Sequence, residues 1–314
     1  ITVWNGQWPN MLIPAMKEDG YPAEYAGALT GAAATCGPII PPSIPMILIG
    51  VMQQLPIGKL FLAGAIPGLI LGLSLMATAY VIGVRRKYPK RERRATLAEM
   101  ARAVFNGILV LIMPLIVVCG IIFGVVTITE TGVLASAYAL ALGVFYGEIT
   151  PRSFWITIKE TSKSVSNLLV ILASAGFFAW VVMNTGLGMQ LVDSILAVST
   201  NKFAVLTMLV IFLLILGCLL DVIAMIFILV PVMYPLVAKV GIDPYHYSAV
   251  FVLTLGIALL TPPVGILLYI VSGMAEAPIL KVIKELVPFL LVEVAVLILV
   301  TYVPVLSTWL PSVF

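Results

Sequence analysis

Two pairs of adjacent prolines interrupt apolar sequence, and each pair has a neighbour whose oxygen atom suits a hard cation. Pro41-Pro42 is followed by Ser43, and Pro262-Pro263 is preceded by Thr261. Adjacent prolines remove backbone donors and clash with the preceding turn, so neither segment can be one continuous helix. In hydrocarbon the exposed carbonyl oxygens need a partner, and a sodium ion supplies one. Each pair therefore predicts a cation site inside a broken helix.

The candidate ligands form groups around the two proline pairs. The predicted sodium ligands are Thr35, Gly37, Pro38, Gly217, Asp221, Thr261 and Gly265. The residues predicted to face an anionic substrate are Pro41, Pro42, Ser43, Pro262 and Pro263. The amino terminus of a half-helix favours an anion because the helix dipole is positive there. The alternative is a packing kink satisfied by neighbours or water, but two breaks in matching places favour a transport site.

Asp221 lies in the middle of the long apolar run from Phe203 to Ala238. An ionised aspartate at membrane depth is costly unless it faces protein or a hydrated cavity. The run is too long for one crossing, so it predicts a re-entrant hairpin with Asp221 at a buried tip. Two roles stay open for this carboxylate: a helix cap alone, or a cap that also shapes the sodium site.

The elements that must position these residues are membrane helices. Of 314 residues, 62% are hydrophobic and 10% are charged, with a mean hydropathy of +1.17. This composition excludes a soluble globular domain. At roughly 20 residues per crossing, the length predicts about eight to ten membrane segments. The apolar stretches long enough to cross are residues 60–84, 108–127, 133–146, 165–182 and 287–310, and residues 24–52 and 245–272 are broken crossings.

The basic residues predict an orientation in the bilayer. If residues 203–238 enter and leave on the outer side, only Lys59, Lys202 and Lys239 of the 17 basic residues fall outside the inner loops. This skew is what the positive-inside rule predicts. The basic stretch from Arg85 to Arg102 then lies on the cytoplasmic surface against anionic lipid. No nucleic-acid partner is expected, because the stretch is short and has almost no aromatic residues.

The two proline pairs also belong to two similar halves. In the first half Ile13-Pro14-Ala15-Met16 precedes a broken helix, and in the second half Val230-Pro231-Val232-Met233 does so. Such internal similarity, with paired broken helices, is typical of inverted-repeat secondary transporters. The second half has membrane sequence from Ile108 to Leu220 before its returning hairpin arm, whereas ten residues precede Met11. We therefore expect the first half to have a further upstream segment.

A family resemblance rests on several motifs taken together. They are Lys17-Glu18-Asp19-Gly20-Tyr21, Gly37-Pro38-Ile39-Ile40-Pro41-Pro42-Ser43-Ile44-Pro45, Thr129-Glu130-Thr131, Asp243-Pro244 and Thr261-Pro262-Pro263-Val264-Gly265. From Met11 to Phe314 the chain resembles the large membrane subunit of tripartite ATP-independent periplasmic (TRAP) transporters. The first ten residues look foreign to the family pattern, which has small and hydroxyl residues with an aspartate at the first hairpin tip.

The resemblance implies a fold and a function. The expected fold is an all-α polytopic membrane protein, an inverted-repeat elevator-type transporter with re-entrant hairpins and broken helices. The expected driving ion is Na+, and the expected cargo is an organic anion such as a carboxylate or sugar acid. The implied partners are a small four-helix membrane subunit and a soluble periplasmic binding protein, in the lipid bilayer of the bacterial inner membrane. A stand-alone sodium-coupled carrier of the same design is the alternative.

The resemblance also implies a division of the chain. Residues 1–53 and 201–274 would form the transport domain, and residues 54–200 the scaffold with a cytoplasmic basic loop at 85–107. Residues 275–314 would supply an interfacial helix and the last membrane helix. The face expected to meet the binding protein carries Gln53, Gln54, Lys59, Asn201, Lys202, Asp243 and His246. With one histidine and no H-E-x-x-H or G-x-S-x-G motif, the sequence predicts no enzyme.

Overall fold

The computed structural model describes residues 7–88 and 96–314, and every regular element in these ranges is a helix. The helices are α1 (Gln7–Glu18), α2 (Ala23–Ala34), α3 (Ile44–Gln53), α4 (Ile57–Arg85), α5 (Leu97–Ile122), α6 (Ile128–Phe145), α7 (Pro151–Asn184), α8 (Leu187–Val198), α9 (Lys202–Gly217), α10 (Val222–Val240), α11 (Pro244–Ala258), α12 (Ile266–Ala275), α13 (Ile279–Tyr302) and α14 (Val305–Val313). The predicted all-α membrane class is confirmed. Residues 1–6 and part of the predicted basic loop, 89–95, lie outside the described residues.

Few of the described helices are long enough to cross a bilayer unbroken. By length and hydropathy four of them qualify, namely α4, α6, α7 and α10, and the bent pair of α13 and α14 makes a fifth. The apolar stretch 287–310 was expected to be continuous, but α13 ends at Tyr302 and α14 follows at an angle of 58°. Pro304 explains the bend, since it has no N–H to continue the helical ladder.

The chain divides into two compact units. The first comprises residues 1–90 and 179–314, and the second comprises residues 91–178. Every candidate ligand named above lies in the first unit. The predicted transport and scaffold domains have other boundaries, and that division stays a prediction.

Within the first unit, α1 to α4 match α10 to α13 in order and in local detail. The matched pairs are Gly20 and Gly241, both with positive φ; Gln54 and Glu276, left-handed helix caps; Pro56 and Pro278, which precede long helices; and Pro67 and Pro288, inside those helices. The bonds within both proline pairs are cis. Pro14 and Pro235 lie equally far before Gly20 and Gly241, so the repeat pairs Pro14 with Pro235 rather than with Pro231.

The two halves pack against each other through matching pairs of helices. The long helix of each half packs on the first part of the other half's broken crossing, so α13 contacts α2 and α4 contacts α11. In the same way α1 packs on α12, and α10 packs on α3. Each contact between the halves is thus matched by a second contact between the corresponding helices. Two repeats related by a two-fold axis are expected to pack in this reciprocal way. The two broken crossings are therefore held by each other's halves.

Glycines on α4 let the first break approach closely. A Cβ atom at Gly64 would lie 2.6 Å from the carbonyl oxygen of Ile39, and one at Gly68 would lie 2.8 Å from the Ile40 side chain. A Cβ at Gly72 would meet nothing within 4 Å. The Gly-x-x-x-Gly spacing allowed either internal packing or a subunit contact. For Gly64 and Gly68 the contact is internal.

Side chains from both halves meet at one end of the first unit. Lys17 pairs with Glu276 at 3.3 Å, and Arg86 pairs with Glu285 at 2.5 Å. The hydrogen bonds from Arg86 to Tyr88 and Glu285 raise the pKa of the guanidinium, so this pair keeps its cation at any working pH. Lys17 and Arg86 are among the residues that the charge pattern places at the inner side.

Replacing Gly64 with alanine should destabilise the fold, because the added methyl group would meet the Ile39 carbonyl. We expect a loss of about 1–3 kcal/mol in unfolding free energy, measured by denaturation of the purified protein in detergent. Gly72→Ala is the matched control on the same helix, and it should leave stability unchanged or raise it by up to about 1 kcal/mol. Equal effects of the two substitutions would contradict the proposed close packing.

Candidate functional site

The first break is a short turn that satisfies part of its own backbone. After α2, the N–H groups of Thr35, Cys36 and Gly37 donate to carbonyls in the last turn of the helix. Ser43 then begins α3: its hydroxyl accepts a hydrogen bond from the N–H of Met46 at 3.2 Å and donates to the Pro38 carbonyl. The predicted residues Pro38 and Ser43 are thus joined directly, and both are buried.

Thr35 lies where the two halves meet. Its side chain is 2% exposed, and its Oγ1 lies 2.7 Å from both the Ala32 carbonyl and Oε1 of Glu293 on α13. Its own carbonyl faces α11, where a Cβ at Gly256 would lie 3.0 Å from that oxygen. Thr35 and Gly256 stand equally far before the first proline of their pairs. Equivalent points of the repeat are therefore in contact, and the missing side chain of Gly256 makes room for the Thr35 carbonyl.

The remaining residues of the first group are more open. Gly37 and Pro42 are exposed, and Pro41 is half-buried. In the second group Pro263 is exposed and Pro262 is half-buried, so the two proline pairs have the same gradient of exposure. The residues predicted to face a substrate are therefore the accessible part of each break, with the exception of the buried Ser43.

The second break is closed by the α9–α10 hairpin. The N–H of Gly265 donates to the carbonyl of Cys218 at 3.3 Å, and the N–H of Leu267 reaches back to Leu259 at 3.1 Å. Gly265 has φ of +50°, which favours glycine. Gly217 is buried against α11, where a Cβ would lie 2.5 Å from that of Ala258. The hairpin turn and the second break, predicted as one group, are in direct contact through Gly217, Cys218 and Gly265.

Thr261 and Asp221 make local hydrogen bonds. The Thr261 hydroxyl donates to the Ile257 carbonyl at 2.8 Å, as threonines often do inside helices. Asp221 begins α10 and accepts from the N–H of Ile223 at 3.0 Å. The capping role of Asp221 is confirmed. Its side chain is exposed within the described chain, so the expected burial of the hairpin tip holds for Gly217 and Cys218 but is wrong for the carboxylate.

Three further polar residues of interest lie at helix ends or in the interior. Glu130 of the family motif forms a capping box with Thr127 at the start of α6. Asn184 ends α7 just before Gly186, whose φ is 73°. His246 was expected on the face that meets the binding protein, but it is 3% exposed and its Nδ1 lies 2.7 Å from the Ser307 hydroxyl of α14. Because the imidazole ring of His246 is buried against Ser307, His246 does not belong to the exposed face that was expected to meet the binding protein.

The sequence interpretation did not consider Glu293, which contacts one of the predicted ligands, Thr35. It lies in the middle of α13, is fully buried, and its Oε1 contacts Thr35. The signal was present, because a single acid inside the apolar run of α13 is rare in a membrane helix and usually has a role. The sequence interpretation considered mainly the oxygen atoms at the two proline breaks. The Glu293 carboxyl group belongs to a continuous helix and was therefore overlooked.

A cleft of about 940 Å³ lies in the second unit and is separate from these residues. Its walls come from α6 and the beginning of α7 and include hydroxyl side chains such as Thr129 and Ser153. No charged side chain is among its lining residues. Cavity size alone therefore does not locate the candidate site, which is recognised by its broken backbone and buried polar groups.

The fold and the site define a polytopic membrane protein built from two interlocking repeats, each with a broken crossing. The family model described as the DctM component of the tripartite ATP-independent periplasmic transporter matches residues 9–306. The chain therefore belongs to the DctM family of TRAP transporter permeases, as its motifs predict. Like its relatives, it is a multi-pass membrane protein and not an enzyme.

Three relatives show the extent of the similarity. The isethionate TRAP transporter permease protein DctMQ of Oleidesulfovibrio alaskensis is 36% identical over 94% of this chain and 47% of its own length. The sialic acid TRAP transporter large permease protein SiaM of Vibrio cholerae is 36% identical over 96% of the chain and 71% of its length. The C4-dicarboxylate TRAP transporter large permease protein DctM of Pseudomonas aeruginosa is 32% identical, also over 96% and 71%. The chain thus spans about half of the first relative.

The hairpin contact predicts a change in thiol reactivity. Gly217→Ala should push the hairpin turn away from Ala258 and expose the thiol of Cys218, which is 6% exposed. With Cys36 and Cys119 replaced by serine, we expect maleimide to modify Cys218 several-fold faster in Gly217→Ala than in the parent. Gly273→Ala is the control, since a Cβ there meets nothing within 4 Å. An unchanged rate in Gly217→Ala would mean that the turn does not pack on α11 as described.

Proposed function

We propose that this chain is the large permease of a sodium-driven TRAP transporter that imports an organic anion delivered by a periplasmic binding protein. The observation that carries the proposal is the direct contact of the hairpin turn with the second break, through the Gly265 N–H and the Cys218 carbonyl. Together with the buried Thr35 at the first break, it places backbone and hydroxyl oxygens at two matching points of the repeat.

Sodium is proposed as the driving ion because of the chemistry of these oxygens. A hard monovalent cation prefers carbonyl and hydroxyl ligands, and unwound membrane helices offer both. The candidates around the first break are Thr35, Gly37 and Pro38, and those around the second are Gly217, Thr261 and Gly265, with Asp221 shaping the turn. The described residues contain no cluster of histidine, cysteine and acidic side chains fit for a transition metal.

The proposed cargo is an organic anion. The relatives are named for sialic acid, isethionate and C4-dicarboxylates, and anionic cargo of this class also suits the exposed edges of both breaks. Pro42 and Pro263 are exposed and lie two and three residues before α3 and α12, so the amino termini of both short helices are close in the chain to the accessible part of their break. Helix amino termini carry partial positive charge and attract anionic groups.

The proposed mechanism is an elevator in which both breaks and the hairpin move together. Contacts among the helices of the predicted transport domain support this, because α2 packs on α12 and α3 packs on α10, which joins the two breaks. The proposed partners are a small four-helix membrane subunit and a soluble periplasmic binding protein. On the expected docking face Gln54, Asn201, Lys202 and Asp243 are exposed, and we expect a weak, transient contact there.

The tripartite assignment is tested by reconstitution. The complete permease that contains this chain, with its small subunit in proteoliposomes, should take up cargo only when sodium and the cargo-loaded binding protein are present outside. Potassium at equal concentration is the control for ionic strength. Equal uptake of free cargo without any binding protein would contradict the tripartite assignment and favour the stand-alone sodium-coupled carrier.

The sodium ligands are tested by separating binding from capping. Asp221→Ala and Thr261→Val should each raise the sodium concentration for half-maximal uptake roughly tenfold, equivalent to about 1.4 kcal/mol of binding free energy. Asn201→Ala is the matched control: it removes a comparable cap from α9, where Asn201 accepts from the N–H of Phe203 at 2.9 Å. That control should lower thermal stability but leave the sodium dependence unchanged.

For Asp221→Ala, a lowered melting temperature with unchanged sodium dependence would mean that Asp221 acts only as the cap of α10. For Thr261→Val, the same result would mean that the hydroxyl only bonds to the Ile257 carbonyl. Either outcome would remove that residue from the proposed ligand set.

A further inference from the structure

One buried side chain of the first unit has an oxygen atom that no described group of the chain satisfies. Glu293 lies near the middle of α13 and is 0% exposed. Its Oε1 lies 2.7 Å from Thr35 Oγ1, whereas its Oε2 makes no hydrogen bond within the described chain. A buried carboxyl oxygen without a partner is costly. Oε2 therefore needs a partner beyond the side chains and backbone around it.

The hydrogen count at Thr35 leaves further lone pairs at the same place. Thr35 Oγ1 lies 2.7 Å from both the Ala32 carbonyl and Glu293 Oε1, but the hydroxyl has only one hydrogen. When that hydrogen is donated to Ala32, Oγ1 and Oε1 approach each other without a hydrogen between them. Three oxygen atoms, namely Oγ1, Oε1 and Oε2, then have lone pairs that the described contacts do not satisfy.

A proton on Glu293 would satisfy only part of this group of oxygens. Placed on Oε1, it would be donated to Thr35 Oγ1, and Oε2 would still be buried without a partner. Placed on Oε2, it would be a buried donor without an acceptor. A cation bound to the carboxylate satisfies Oε1 and Oε2 together, and Thr35 Oγ1 lies beside them.

No lysine or arginine of the described helices around Glu293 balances its charge. The helices that pack on α13 are α2, α4, α9, α11 and α12. On α2, α11 and α12 there is no lysine or arginine, and His246 of α11 contacts Ser307 instead. On α13 itself, Lys284 is about 13 Å along the helix from Glu293. The basic residues of α4 and α9 lie at helix ends, namely Lys59, Arg85 and Lys202.

The composition of the site indicates which cation it suits. Its candidate ligands are all oxygen atoms, which hard cations prefer to nitrogen or sulfur. It contains one carboxylate, so a single positive charge balances it, whereas a divalent ion would leave an excess charge in a buried place. An alkali cation has both properties, and sodium is the alkali cation already proposed for the first break.

We infer that Glu293 is a charged ligand of the sodium ion at the first break. Its carboxylate binds the cation together with Thr35 Oγ1, so the site forms between α13 and the end of α2. The first site then has a formal negative charge in its interior, whereas Asp221 beside the second break is exposed and caps α10. The inference rests on the proposed function for the identity of the ion, and it adds a ligand from an unbroken helix.

Thermal stability of the purified protein in sodium and in potassium, at equal ionic strength, tests the inference without transport. A cation that binds the folded protein raises its melting temperature. Glu293→Gln keeps the shape but removes the charge, and it should raise the sodium concentration for half-maximal stabilisation roughly tenfold or more. Glu293→Asp keeps the charge and should retain part of the sodium effect. Glu285→Gln on the same helix is the control: it removes the ion pair with Arg86 but should leave the sodium dependence unchanged.

Double variants locate the effect at the first break. Combined with Thr35→Val, Glu293→Gln should weaken the sodium effect by less than the sum of the two single substitutions, because both act on one site. Combined with Thr261→Val, its effect should be additive, because Thr261 belongs to the second break. Additive effects of Glu293→Gln and Thr35→Val would contradict a shared site.

The outcomes separate this inference from the proposed driving ion. A sodium effect of equal size in the parent and in Glu293→Gln would overturn the inference and leave the sodium proposal standing. The absence of any sodium effect in the parent would contradict sodium as the driving ion, and the ligand with it.

If Glu293→Gln does not fold, infrared spectroscopy of the unaltered chain with isotope-labelled glutamate gives the answer. Exchange of potassium for sodium should shift a carboxylate-stretch band that carries the glutamate label, because the cation binds to that carboxylate. The same exchange with labelled aspartate in place of labelled glutamate is the control for the assignment. A labelled carboxylic-acid band that is identical in both salts, with no shifted carboxylate band, would mean a neutral acid and would overturn the inference.

Discussion

The lack of water in the core of a bilayer is the constraint on which this structure depends. Every backbone N–H and C=O that the two proline pairs free from a helix must find a partner in the chain, in bound water or in a bound ion. At the first break the partner of the Pro38 carbonyl is the Ser43 hydroxyl. At the second, the Gly265 N–H and the Cys218 carbonyl satisfy each other, and the α9–α10 hairpin is thereby held against the broken crossing.

The packing of the two halves follows from the same constraint. A break can be sealed only if another helix comes close to its backbone, and glycines at the contact allow this. Gly64 of α4 faces the Ile39 carbonyl, Gly256 of α11 faces that of Thr35, and Gly217 faces α11 itself. Both broken crossings have equivalent packing partners, because the long helix of each half, α4 or α13, packs on the broken crossing of the other half. The halves are not identical, since α13 brings the buried Glu293 against Thr35 at the first break.

The sequence interpretation succeeded where one local cause decides the structure. Adjacent prolines end helices, so both breaks were predictable, and an aspartate between two apolar runs predicted the turn and cap at Asp221. It failed where the outcome depends on contacts between distant segments. The inward position of His246 depends on Ser307, and Glu293 contacts Thr35, a residue 258 positions away in the chain. The bend at Pro304 was predictable from its missing N–H and was overlooked within a long apolar run.

The central claim is that the two broken crossings bind sodium, and thermal stability in the presence of different cations tests it most directly. A cation that binds only the folded protein raises the melting temperature in proportion to its occupancy. The account predicts a higher melting temperature in sodium than in potassium at the same ionic strength. The difference should shrink in Thr35→Val and Thr261→Val and persist in Asn201→Ala. Equal melting temperatures in sodium and potassium would contradict the claim.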